Sequence, residues 1–304
     1  MSSRVTSPAL LMCAATVVAC AGERPRADSP AAAITVADAG LQTPESALHD
    51  AAADVYLVAN INGSPLEKDD NGFISRVGPD GAVQALKWID GANPDVTLHA
   101  PKGMGLNGDT LFVADIDAVR WFDRASGRAL GERSVRGATF LNDVTVGADG
   151  TVYVTDSGFR AGAQGLEPSG TDALYRFRPD GSAEAVLRGA TLGGPNGVIV
   201  DGTTATVVTF GSGEIMEIDL MTRQRTRTVA RGPGGQLDGV VRLADGSLLV
   251  SSWEGQAIYR VTGDTYTVAV DSVAAPADIG YDAGRGRVLI PLFMANRLEI
   301  REVR

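Results

Sequence analysis

Cysteine is nearly missing from this 304-residue chain: there are two, Cys13 and Cys20, both within the first 20 residues. Histidine is equally scarce, with only His49 and His99. A disulfide framework needs cysteines distributed through the fold, and a zinc or copper site needs thiolates or clustered imidazoles, so neither class fits. Two isolated histidines also leave no context for a Ser/His/Asp relay. Basic residues are outnumbered, 27 Lys and Arg against 37 Asp and Glu, giving a net charge of −10 and a pI near 4.7. No basic stripe interrupts that balance, which argues against nucleic acid as a partner. Helical periodicity is missing as well beyond the N-terminus, and aromatics make up only 6% of the chain.

What apolar run there is lies at the start. TSPALLMCAATVVAC (6–20) is too brief for a comfortable membrane span and fits a secretory signal. Its end, VVAC (17–20), resembles a bacterial lipoprotein cleavage box with Cys20 as the lipidated first residue; cleavage after Ala21, releasing a soluble secreted protein, is the alternative. Either cut removes Cys13. AGERPRADSPAA then reads as a flexible tether. The expected organisation is a signal over 1–19, a tether over 20–32 and one domain over 33–304, held at the cell envelope by lipid on Cys20 or secreted.

The domain is a repeat. PESA (44–47), PKGM (101–104), LNDV (141–144), PNGV (195–198), LDGV (237–240) and PADI (276–279) each open an apolar strand. An Asn-Gly or Asp-Gly turn and an alternating strand follow in most, as in LNDVTVGADGTVYVTDS. Third strands (GFISRV, AVRWFD, ALYRF, EIMEIDL, AIYRV, RLEIREV) and most fourth strands can be read after them. Second positions of the six motifs are spaced by 57, 40, 54, 42 and 39 residues. Four short antiparallel strands per roughly 40 residues is the period of a propeller blade. The fold predicted is an all-β six-bladed propeller, with AITVAD (33–38) supplying the last blade's missing outer strand.

In that architecture each innermost strand begins at one face and lines the central channel, so the second motif positions converge on the axis: Glu45, Lys102, Asn142, Asn196, Asp238 and Ala277. Loops between second and third strands return to the same face with Asn60, Asn62, Asp115, Asp156, Ser157 and Trp253. Two carboxylates and two amides converging on an axis repel or go unpaired unless something satisfies them. A hard divalent cation would, with calcium suiting a wide oxygen cage; a channel of ordered water with Asn and Asp as turn residues is the other reading.

The ordered set ESALHDAAADVYLVANI, LND, PNG and LDG resembles the senescence-marker-protein/gluconolactonase family. That resemblance covers the chain from about residue 34. It implies one divalent cation held by Glu45, Asn196 and Asp238, with Asn142 beside it completing the shell or touching substrate. It also implies metal-assisted hydrolysis of a lactone or ester, with Asp238 taking the proton from attacking water. Lys102 stands where the related paraoxonases carry a histidine, which disfavours a histidine mechanism; it would pair with Asp143 or Asp278 or receive a substrate anion. Phe140 stands where sugar-lactone members carry arginine, which points away from gluconolactone toward a less polar or differently charged substrate. The long loops 60–73 and 156–174 read as pocket walls or a lid. Lys102, Asn142, Asp143, Arg160 and Trp253 are the expected substrate contacts, with His49 and His99 in packing or surface roles. A non-catalytic propeller of the NHL-repeat type, binding a protein or envelope ligand around a structural calcium, is the competing reading.

Overall fold

A computed structural model describes Met1 and residues 33–303, apart from 164 and 179. The expected signal, Cys20 and most of the tether lie outside the described residues. Residues 33–303 form six four-stranded antiparallel sheets, each running from an inner strand near the axis to an outer one. The inner strands are Pro44–Asp50, Pro101–Asn107, Leu141–Val146, Pro195–Asp201, Leu237–Arg242 and the short Gly280–Asp282. Burial falls off outward: Val55–Asn60, the second strand of blade one, is buried throughout, whereas Ala129–Ser134 at the edge of blade two is almost wholly exposed. Strands covered on both faces carry unbroken apolar runs; strands at the rim do not.

The core is divided among the seams. Each of six apolar clusters is shared by two successive blades, as where Leu57, Ile74 and Ile89 of blade one meet Met104, Val113 and Phe122 of blade two. The last seam closes the ring. Ile34–Val36 pairs antiparallel with Arg297–Glu302 in the register Ile34↔Ile300, so the N-terminal strand is the outer strand of blade six, as the sequence predicts. Across that seam Tyr56 donates to Asp282 at 2.8 Å and Arg285 grips Asp54.

One irregularity recurs in five inner strands. The register slips by one residue between Pro44 and Ser46, Pro101 and Met104, Leu141 and Val144, Pro195 and Val198, and Leu237 and Val240. Each slip is a β-bulge, a device that bends a strand and re-aims a side chain. It falls on the second motif position in blade one and across the second and third positions in the other four. Glycine at the third position serves close packing instead. A Cβ on Gly197 would lie 2.5 Å from the Asp238 carbonyl oxygen and 3.0 Å from Val240 N. The inner strands of blades four and five approach backbone to backbone there, which only glycine permits.

Candidate active site

The bulges bring Glu45, Lys102, Asn142, Asn196 and Asp238 to the floor of one cavity on the axis. Ala277, the sixth position, is buried but contributes no polar atom. Ile61, Pro65, Phe140, Phe159, Leu166, Phe210, Trp253 and Phe293 form the walls. The enclosed space is about 80 Å³. At the roughly 10–15 Å³ that each water centre requires, it takes an ion and a few waters, and any larger molecule extends up between the walls.

Four side-chain oxygens on this floor are buried and accept no hydrogen bond: Glu45 Oε2, Asn142 Oδ1, Asn196 Oδ1 and Asp238 Oδ1. Neighbouring atoms of two of them are tied down. Asn142 Nδ2 donates to Ser157 Oγ at 3.0 Å, and that hydroxyl donates to the Pro195 carbonyl at 2.6 Å. Trp253 Nε1 donates to Asp238 Oδ2 at 2.7 Å. These tethers leave one oxygen of each residue free, and a buried acceptor without a donor is costly. Two carboxylates and two neutral amide carbonyls match the oxygen set a hard divalent cation takes. Among the described residues no three His, Cys, Asp or Glu side chains have metal-holding spacing, so a cation here must draw on the asparagines.

The electrostatics agree with that donor set. Burial pushes the Glu45 carboxyl well above its usual range, and the charges of Asp238 and Asp278 add to the effect. Asp238 is raised by burial and by Asp278, against the hydrogen bonds from Trp253 and Asn196. Asp143 moves the same way, and burial lifts Asp278 to about 7. Without a compensating positive charge these groups favour the protonated form.

Lys102 departs from its expected pairing. It is fully buried, yet Nζ donates to the carbonyls of Pro65 (3.3 Å) and Ala100 (3.2 Å) and lies 4.6 Å above the Phe140 ring. Neither Asp143 nor Asp278 is its partner. The Asp143 carboxylate instead accepts from Val144 N and, across the seam, Val198 N, each at 2.7 Å. Asp278 accepts from Ser46 at 2.6 Å. Burial lowers the Lys102 pKa, against the attraction of Glu45 and Asp115.

Two further expected contacts are displaced. Asp143 is spent on the seam and does not line the cavity. Arg160 is exposed on the hairpin Phe159–Gly162/Gly165–Pro168, and its neighbour Phe159 lines the cavity instead, because alternate residues of a strand face opposite ways. Asn60, Asp115 and Asp156 also turn away from the channel mouth. Asn60 accepts from Gln42 N, Asp115 from His99 N and Ala100 N, and Asp156 from Thr139 N and Phe140 N. Each closes the segment leading into its own blade's inner strand. His49 lies near Asp54 and Asp282, away from the cavity lining, and His99 Nδ1 accepts from Asp70 N.

Sequence reasoning singles out only Trp253 and Phe140 from a larger set of cavity aromatics. Phe140, Phe159, Phe210, Trp253 and Phe293 form an unbroken chain of ring contacts, with centroids 5.1–6.3 Å apart. A repeat signal exists for half of the wall: the residue directly after each second strand is Ile61, Ile116, Ser157, Phe210, Trp253 and Phe293 in blades one to six, and four of these line the cavity. The polar residues that the sequence suggests sit mainly one position earlier, where side chains point back into the blade.

Comparisons with known proteins bear on the family and the fold. The family model for the SMP-30/Gluconolactonase/LRE-like region matches residues 67–280. No curated protein matches by sequence. Among solved structures, the gluconolactonase XC5397 from Xanthomonas campestris is 20% identical with a TM-score of 0.68, covering 90% of this chain and 89% of its own. A putative gluconolactonase is 18% identical with a TM-score of 0.66, over 90% and 93% of the two chains. The virginiamycin B lyase of Staphylococcus aureus is 12% identical with a TM-score of 0.60, over 90% and 99%. These likenesses establish the shared propeller.

Proposed function

Because the chain belongs to the SMP-30/gluconolactonase/LRE-like family, we propose that the axial cavity is the active site of a divalent-cation-dependent hydrolase that opens a lactone or related ester, with calcium as the cation. One observation carries the proposal: four partnerless oxygens, from Glu45, Asn142, Asn196 and Asp238, line the same buried cavity. These four would hold the cation. When bound, it supplies Lewis acidity toward the ester carbonyl and neutralises charge on the oxyanion.

The remaining work falls to side chains. Asp238 is the proton acceptor for the attacking water, with its carboxylate plane held by Trp253 Nε1. Asn142, fixed through Ser157, orients the carbonyl end of the substrate. Lys102 carries three donors, of which two have carbonyl partners, and its charge suits the carboxylate that ring opening releases. The aromatic wall limits water to the few molecules the floor admits.

Hydrolysis across a lactone and ester panel, with and without chelator, on protein lacking residues 1–20 tests this reading. Activity lost to chelator and restored by calcium is expected. Chelator-insensitive hydrolysis contradicts the cation's role, and inactivity on every substrate favours a binding platform. The proposal extends to the address: lipid on Cys20 would hold the protein on the periplasmic side of the envelope, and palmitate labelling that survives Cys20→Ser would refute it.

A further inference from the structure

The cavity changes character within one layer of residues. Its floor is polar, while its walls from blades three to six are rings: Phe140, Phe159, Phe210, Trp253 and Phe293. In a chain with only 6% aromatics, five gathered in edge-to-face and tilted contact round one opening are not diluted core. Four of the five are half-buried, so part of each of those rings stays accessible above the floor. Ile61 and Pro65 complete the wall from blade one, and Leu166, 46% exposed, extends it outward from the hairpin.

This wall has almost nothing to offer a hydroxyl group. Its single side-chain donor, Trp253 Nε1, is already engaged by Asp238. A polyhydroxylated ring held there would surrender its water without gaining partners, a penalty that recurs for each hydroxyl. An alkyl or aryl group would instead gain from every methylene removed from water.

We infer that this collar selects a lactone or ester whose reacting carbonyl sits on the polar floor and whose remainder is an apolar chain or ring, and that it rejects sugar lactones. Phe140, Phe159, Phe210 and Phe293 are its specificity-determining residues. The inference rests on the hydrolase reading of the same cavity, so its test keeps binding apart from turnover.

The probes are γ-lactones bearing butyl, hexyl and octyl chains, glucono-δ-lactone, and the γ-lactams that match the three alkyl lactones but resist hydrolysis. Lactam affinity, read by titration calorimetry with the calcium-loaded protein, is expected to rise roughly three- to fourfold per methylene until the chain outgrows the collar. The kcat/KM of the lactones should climb in parallel and exceed that of glucono-δ-lactone at every chain length. Phe210→Ala and Phe293→Ala should flatten the slope, and Phe210→Leu should keep most of it. Lactam affinity that climbs while no lactone is cleaved supports the collar and sinks the hydrolase. Lactam affinity independent of chain length, or faster turnover of glucono-δ-lactone than of the octyl lactone, overturns the collar and leaves the hydrolase standing. The wild-type lactam series alone decides the question if the alanine variants do not fold.

Discussion

Two rings supply most of the axial cavity's lining, built on one repeat but composed by opposite rules. The lower ring, at the second position of each inner strand, runs Glu, Lys, Asn, Asn, Asp, Ala and breaks the propeller's symmetry at almost every blade. The upper ring, directly after each second strand, stays apolar in five blades, with Ser157 the exception. Blade three compensates with an inserted hairpin that brings in Phe159. Under the proposed function the difference follows from what each ring would do. Holding a cation demands particular oxygens at particular bearings, so neighbouring positions must differ. Excluding water demands only continuous apolar surface, so near-equivalent residues suffice.

Substitutions can separate the rings. The largest effect is expected from Asp238→Asn in the lower ring, which keeps an acceptor for Trp253 but removes the charge. It should cost ~10²–10⁴ in kcat/KM, the range of a lost general base, and by the same factor for short- and long-chain substrates. A variant retaining near-normal turnover and calcium affinity would remove Asp238 from the mechanism. Glu45→Gln, also isosteric, should weaken calcium binding by at least about tenfold, because affinity of such sites follows the number of charged ligands; titration calorimetry measures it.

A smaller effect is expected from Gly197→Ala, which strikes the framework beneath both rings. The added methyl meets backbone of blade five, and overpacking of this kind costs ~1–3 kcal/mol, visible as a drop of several degrees in Tm. An unchanged Tm would show that the seam can open there.

The smallest predicted effect concerns pH. Burial raises Glu45, Asp143 and Asp238 and lifts Asp278 to about 7, whereas carboxyls of an unfolded chain titrate near ~4. Between those values the folded protein holds more protons than the unfolded one, so stability falls as pH rises through the window. Calcium-free protein should therefore melt a few degrees lower at pH 8 than at pH 5, and calcium should reverse the trend. A calcium-free Tm that rises over this interval would mean that these buried carboxyls are not held protonated.

The lower ring is legible in the sequence because sequence equivalence and spatial equivalence coincide: PNG, LDG and LND announce themselves as one position met repeatedly. The closing strand at Ile34–Val36 is legible for a related reason, since blade six lacks its fourth strand in the sequence. Lys102 is not, because its partners are carbonyls of Pro65 and Ala100, and backbone acceptors leave no mark in side-chain identity. Asp143 resembles a pocket residue in the LND motif, but its carboxylate is spent on Val198 N of the next blade. The collar is half legible. Trp253 and Phe140 stand out, but reading the loops by polarity draws attention to Asn60, Asp115 and Asp156, one residue short of the ring. Strand alternation turns that single-residue offset into opposite directions.

The central claim is that Glu45, Asn142, Asn196 and Asp238 surround one cation. Calcium titrated calorimetrically into chelator-treated protein tests it most directly, alongside Glu45→Gln and Asp238→Asn. One calcium per chain, with protons released on binding at pH 6 and affinity collapsing in both variants, is the predicted result. No binding at millimolar calcium, or binding that both variants leave intact, would contradict it.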